Sequence, residues 1–186
     1  MIIPVKSFTV AKGRLSDILS ADERQQLARS CAESVIAAAQ PFATYVPCSD
    51  HDVATWATAH GATAVHCPMP GLDVAVATAR AAAQEDGCTH VIVAHADLPL
   101  AHTFSHIPQE GVITAVPDRH RDGTNVLSFP IDSSFVTAYG PGSFDNHQRL
   151  ATTAGLPFTV LHDSDLELDL DTADDLTEFT KRKNQQ

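Results

Sequence analysis

Positive charge is scarce in this 186-residue chain, with 12 Lys and Arg set against 23 Asp and Glu for a formal net charge of −11. A field of that sign repels polyanions, which excludes nucleic acid and anionic membrane as primary partners. A small anionic substrate would need a local basic patch or a bound cation. No apolar run is long enough for a membrane span. The opening Met1-Ile2-Ile3-Pro4-Val5-Lys6 lacks the basic lead and long apolar stretch of a secretory signal, so a cytoplasmic protein is expected. Cys31, Cys48, Cys67 and Cys88 are widely spread with no CxxC pair, which reads as four reduced, buried thiols. Neither GxxxxGK[ST] nor GxGxxG occurs, so a P-loop and a dinucleotide fold have no support. His102 and His106 could share a helix face, but HTFSH lacks the Glu base of a zinc protease and reads as surface or packing histidines. No nucleophile elbow or triad pattern supports Ser or Cys chemistry.

What is present is a core. The chain is 44% hydrophobic, enough to bury a proper interior without staples and too apolar for global disorder. No repeat, low-complexity segment or long linker divides it, so one domain over residues 1–180 and a polar tail over 181–186 are expected. Strands are expected at Ile2–Val5, Ala43–Pro47, Ala62–His66, His90–His95, Val112–Val116, Thr124–Phe129, Phe158–Leu161 and Leu166–Leu170. Helices are expected from the capping box Ser20/Glu23 to about Ala39, from Asp50 to about Ala59, over Leu72–Gln84, from Gly140-Pro141-Gly142-Ser143 to near Gly155, and from the capping box Thr172/Asp175 onward. Strands alternating with helices imply an α/β three-layer sandwich with a mostly parallel sheet. Ligands of such sheets sit beyond the carboxyl ends of the strands.

That rule selects candidates. Asp97 directly follows the most apolar strand, although an Asp before Leu-Pro is also ordinary turn chemistry. Asp165-Leu166-Glu167-Leu168-Asp169-Leu170-Asp171 alternates strictly. On a strand it puts Asp169 and Asp171 on one face, able to converge on a cation or merely to solvate an edge. Hard carboxylate oxygens suit Mg²⁺ or Mn²⁺, and such sites complete their shells with water and phosphate. Lys6, Lys12 and Arg14 fall after the first strand, where they form either a phosphate clamp or a solvated basic loop. Gly123-Thr124-Asn125 and Gly140-Pro141-Gly142-Ser143 offer backbone N–H groups and hydroxyls that suit an anion and equally suit plain turns.

The set is more specific than its parts. Pro4-Val5-Lys6 with Ala11-Lys12-Gly13-Arg14-Leu15, then Ala96-Asp97-Leu98-Pro99-Leu100, Asp122-Gly123-Thr124-Asn125, Gly140-Pro141-Gly142-Ser143-Phe144 and Leu168-Asp169-Leu170-Asp171-Thr172 follow one another in a familiar order. Together they resemble the 2-phospho-L-lactate guanylyltransferase family of coenzyme F(420) biosynthesis, which includes the phosphoenolpyruvate guanylyltransferases. The resemblance spans about Ile3 to Leu176. It implies a nucleotidyltransferase fold of the glycosyltransferase-A-like type. It implies Mg²⁺ on Asp97, Asp169 and Asp171, and GTP phosphates or the acceptor on Lys12 and Arg14, with Lys6 nearby. Thr124, Gly140 and Ser143, beside Asn125, would seat the phosphorylated acid. Where that family carries a glycine pair and an Asn near its base-binding turn, this chain reads Pro70-Gly71-Leu72-Asp73.

The implied reaction transfers GMP from GTP to phosphoenolpyruvate or 2-phospho-L-lactate and releases pyrophosphate. The alternatives are a molybdenum-cofactor or sugar-phosphate nucleotidyltransferase, whose glycine-rich N-terminal loop is absent here, and a non-catalytic nucleotide-binding protein. A homodimer is compatible with the sequence, which does not fix the oligomeric state.

Overall fold

A computed structural model describes residues 1–185. Six strands form: β1 (Tyr45–Cys48), β2 (Thr63–His66), β3 (His90–Ala94), β4 (Ile113–Pro117), β5 (Thr124–Pro130) and β6 (Phe158–Val160). Among the described residues five α-helices accompany them: α1 (Ala21–Ala38), α2 (His51–Ala59), α3 (Leu72–Glu85), α4 (Ser143–Thr153) and α5 (Ala173–Lys183).

Ile2 joins the two halves of the sheet, bridging Tyr45 on one side and Val93 on the other, both in parallel sense. The order is therefore β2, β1, Ile2, β3, β5, β4, β6. Every neighbouring pair is parallel except those made by β5, which runs antiparallel to β3 and to β4. The expected strand at Ile2–Val5 is shorter than the sequence suggested. Ile2 N–H donates to Ile92 O (2.7 Å) and Ile3 N–H to Tyr45 O (2.9 Å), but Pro4 has no N–H with which to continue the ladder.

Alternation along β3 explains the layers. Ile92 and Ala94 pack with α1 and α2, while Val91 and Val93 pack with α3 and α4. Both faces are covered, so β3 reads as the near-continuous apolar run typical of a central parallel strand. Both capping boxes form: Glu23 N–H donates to Ser20 Oγ (3.3 Å) and Asp175 N–H to Thr172 Oγ1 (3.3 Å), with each carboxylate accepting from the cap's own N–H. At α2, Asp50 Oδ1 accepts from Asp52 N–H and Val53 N–H.

Four further expectations require correction. Leu166–Leu170 is not a strand, although its alternation is real, since Leu166, Leu168 and Leu170 are fully buried. Asp163 Oδ1 captures Asp165 N–H and Leu166 N–H, and such local bonds compete with a ladder. Residues 101–106 are not helical; His106 Nε2 lies 3.0 Å from Asp163 Oδ2 and His102 Nδ1 3.8 Å from Asp165 Oδ2. The tail expected at 181–186 is helical through Lys183, and its last residue, Gln186, lies outside the described residues. All four thiols are free, but only Cys31, Cys48 and Cys67 are buried, Cys88 being half-buried.

Candidate active site

The carboxyl ends of the N-terminal segment, β1, β2 and β3 meet along one edge. The reversed strand β5 begins there, which is why Thr124 and Asn125 reach the same edge as Asp97. The buried leucines at 166, 168 and 170 act as alternate anchors, turning Asp169 and Asp171 outward toward Asp97. Leu170 N–H donates to Asp97 O (3.1 Å), and Asn125 Nδ2 donates to Leu166 O (3.0 Å) and to Asp169 Oδ1 (3.3 Å). One carboxylate oxygen from each of Asp97, Asp169 and Asp171 lies within 4.8 Å of the others. The trio expected from two distant stretches of sequence is assembled.

Positive charge is threaded into it. Lys12 Nζ lies 3.0 Å from Asp97 Oδ2 and 3.6 Å from Asp171 Oδ1, and the exposed Arg14 guanidinium lies 3.5 Å from Asp171 Oδ2. The Lys12 side chain is only 5% exposed, and its backbone takes the left-handed conformation (φ 56°, ψ 37°), which a non-glycine residue adopts at a cost. Burial pulls its pKa down, but Asp97 and then Asp171 outweigh that and raise it. Burial pushes Asp97 up, yet Lys12 and His95 hold its carboxyl below the usual range. Asp169 has no such partner: burial first, then the charges of Asp97 and Asp171, push it up to about 6. Asp97 Oδ1 is buried with no hydrogen-bond partner among the described residues. Three hard oxygen donors, one of them orphaned and one strained by like charge, fit a divalent cation.

A cleft of about 920 Å³ opens beside the trio. It is lined by Lys6, Lys12 and Arg14, by Cys48 at the end of β1 with Ser49 after it, by residues 69–72, and by His95, Asp97 and Asp171. The placement matches the rule for open α/β sheets.

The remaining candidates, Thr124, Asn125, Gly140 and Ser143, are not among the residues that line the cleft. Thr124 is fully buried, and His147 Nδ1 is 3.0 Å from its Oγ1. Because His147 Nε2 accepts from Ala138 N–H (3.0 Å), the ring proton sits on Nδ1 and is donated to Thr124. Ser143, also buried, opens α4 after Gly142, and its N–H donates to Gly140 O (3.0 Å). Gly140 itself is exposed, at φ 125°.

Four further residues here carry no sequence signal: Asp73, His95, Tyr139 and His147. Asp73 in the first turn of α3 accepts from Thr137 Oγ1 (2.7 Å) and Tyr139 N–H (3.0 Å). The Tyr139 ring stands edge-on to His147 at 4.9 Å and lies 5.5 Å from His95. Burial pushes the His147 imidazole down to about 4 and the Tyr139 phenol up.

Comparison with known proteins bears on the same residues. Residues 1–185 match the family described as "Guanylyl transferase CofC like". The chain belongs to this family. Among relatives of this member, the phosphoenolpyruvate guanylyltransferase of Sphaerobacter thermophilus is 33% identical, the match covering 96% of this chain and 90% of that one. The 2-phospho-L-lactate guanylyltransferase of Methanosphaerula palustris is 29% identical over 96% of this chain and 82% of its own. Solved structures share the fold. A protein of Desulfovibrio desulfuricans superposes with TM-score 0.73 at 17% identity, covering 98% of this chain and 86% of that one. A nucleotidyl transferase from Methanothermobacter thermautotroptrophicus gives 0.63 at 11% identity, covering 100% and 98%. The nucleotidyltransferase fold expected from the motifs is thus the fold observed.

Proposed function

We propose that this protein is a guanylyltransferase that moves GMP from GTP onto the phosphate of a small phosphorylated carboxylic acid, phosphoenolpyruvate or 2-phospho-L-lactate, in coenzyme F(420) biosynthesis. The observation that carries the reading is the convergence of Asp97, Asp169 and Asp171, with Lys12 on two of them, beside a cleft that Lys6, Lys12 and Arg14 line. Family membership supplies the guanylyl group and the two acceptors, through the activities for which its relatives are named.

An oxygen of the acceptor's phosphate attacks the α-phosphorus of GTP in line. The bond from that phosphorus to the β-bridging oxygen breaks, and its electrons leave with pyrophosphate. The attacking oxygen is already anionic, so no general base is needed. The protein's task is to bring two anions together inside a chain of net charge −11. Lys6 and Arg14 at the cleft wall draw in the triphosphate, and the buried Lys12 ammonium stays protonated to offset charge developing on the leaving group. Asp97, Asp169 and Asp171 would hold a divalent cation, Mg²⁺ or Mn²⁺, which when bound supplies charge neutralisation to both reactants. Asn125 keeps Asp169 in position, and the buried leucines keep the acidic segment against Asp97.

The test is a panel of nucleoside triphosphates and phosphorylated acids with Mg²⁺, read by product mass and pyrophosphate release. The expected product joins GMP to one of the two named acids, and a chelator abolishes its formation. Asp97→Asn is expected to lower the rate at least about 100-fold while its circular dichroism stays native-like and its melting falls, because the buried Lys12 loses its nearest carboxylate. A wild-type protein that releases no pyrophosphate with any pair, or an Asp97→Asn variant of full activity, refutes the assignment.

A further inference from the structure

Residues 167–171 carry two of the three clustered carboxylates, yet they belong to no strand or helix. No ladder fixes where Asp169 and Asp171 point. The middle of the segment is held by Leu170 N–H on Asp97 O and by Asn125 on Asp169 Oδ1. Its two ends are gripped by a residue with no role in the chemistry above, Arg119 in the turn between β4 and β5.

At the start of the segment, Arg119 N–H donates to Glu167 O (2.9 Å). At the other end, Arg119 Nη2 lies 2.7 Å from Asp175 Oδ1. The second oxygen of that buried carboxylate, Oδ2, accepts from Asp171 N–H (3.1 Å), Thr172 N–H (2.7 Å) and Thr172 Oγ1 (2.8 Å). Burial pushes Asp175 up, but its bonds from Thr172 and Asp171 and the charge of Arg119 outweigh that and hold the carboxyl below its usual range. A capping box needs only the reciprocal bonds between cap and third residue, so the contacts with Asp171 and Arg119 reach beyond capping. Arg119 itself stands on a pinned turn. Asp118 Oδ1 accepts from His120 N–H (2.9 Å) and Asp122 N–H (3.1 Å), and Oδ2 from Gly123 N–H (2.7 Å). A continuous set of bonds thus runs from this turn through Arg119 and Asp175 to the backbone of Asp171.

Resting on the metal assignment in the proposed function, we propose that Arg119 and Asp175 are positioning residues that preorganise Asp169 and Asp171 for the divalent cation. Neither lines the cleft, so both act through the carboxylates and not on the reactants. Asp171 has particular need of such support. Its side chain is 44% exposed against 26% for Asp97, and repulsion from two neighbouring carboxylates favours its turning out into water. With its N–H tied to Asp175, and Glu167 O tied to Arg119, the backbone on both sides of Asp169 is fixed before an ion arrives. Partners that orient ligating carboxylates in this way raise metal affinity without touching the metal.

The experiment measures Mn²⁺ binding to the protein without substrates, from the electron paramagnetic resonance signal of the free ion. It compares wild type, Asp171→Asn, Arg119→Met, Arg119→Lys and Asp175→Asn at a temperature where circular dichroism shows each folded. Arg119→Met and Asp175→Asn are each expected to raise the Mn²⁺ dissociation constant about 10-fold or more. Arg119→Lys keeps a point charge at a contact that uses one carboxylate oxygen, and is expected to bind within about threefold of wild type. An ion pair that serves stability alone would lower the melting temperature of Arg119→Met and leave its Mn²⁺ affinity within about twofold of wild type; that result, with Asp171→Asn impaired, overturns this inference alone. Binding absent from wild type, or undiminished in Asp171→Asn, overturns the metal assignment as well.

Discussion

His147 makes the stability of the fold depend on pH in a calculable way. The imidazole is fully buried, accepts from Ala138 through Nε2 and donates to Thr124 through Nδ1, so a second proton has nowhere to go without breaking the Ala138 bond. Burial is the leading cause of its low pKa; Asp73 pulls the other way and His95 adds to the depression. The folded value is about 4 against an ordinary 6.5, a gap worth about 3 kcal/mol in full. Below the ordinary value the unfolded chain binds a proton that the folded chain refuses, so stability rises with pH through this window. The contribution is intact above about pH 7 and falls as the solution is acidified, with about 2 kcal/mol gone near pH 5. For a chain of this length that corresponds to about 4–8 °C in melting temperature. The assay is urea unfolding of wild type and His147→Gln at neutral pH and near pH 5. Glutamine can keep an acceptor and a donor but does not titrate, so its own packing cost is the same at both pH values. The wild type is expected to lose about 2 kcal/mol more than the variant on acidification. Parallel losses would refute the assignment of a buried neutral imidazole.

Three further expectations follow from other contacts. Lys12→Ala removes the buried ammonium from between Asp97 and Asp171 and should lower kcat at least about tenfold; steady-state kinetics at saturating nucleotide would show it, and an unchanged kcat would refute that role. Arg80→Met removes the guanidinium bonds to the carbonyls of Ile131, Ser133 and Phe135 and should cost about 2–4 kcal/mol in denaturant unfolding. Gly123→Ala would place a Cβ 2.7 Å from Asp118 Oδ2. That carboxylate is pinned by the N–H groups of His120, Asp122 and Gly123, so the variant should melt lower by about 1–3 kcal/mol of overpacking.

The sequence made some of this legible and hid the rest for physical reasons. Capping boxes are local, so Ser20/Glu23 and Thr172/Asp175 were readable in four residues each, as was the apolar run of β3. Asp97 was readable from strand-end logic, and Asp169 and Asp171 from alternation. That alternation reported burial correctly but not pairing: the three leucines are anchored, yet Asp163 takes the backbone bonds a ladder would have needed. Pro4 likewise limits the N-terminal strand to a bridge. Asp73, Arg80, His95, Tyr139 and His147 were hidden because each is a single polar residue in an ordinary context. Asp73 meets its partners 64 and 66 positions away, and Arg80 meets its own 51 to 55 away. Nothing periodic announces such contacts.

The one strand that runs against the rest has a consequence for how such a protein can change. Because β5 starts at the functional edge, it finishes at the far one, and the chain must travel back across the α3 and α4 face before α4 can begin. Residues 131–142 make that journey without a strand or helix of their own, tethered by Arg80 near the start and Asp73 near the finish. Asp97 is rooted directly in the sheet, whereas Tyr139 hangs on a return path whose length and tethers are free to drift. The acidic trio and the return path are thus mechanically separable, and selection or an engineer can change the length of the second without disturbing the first.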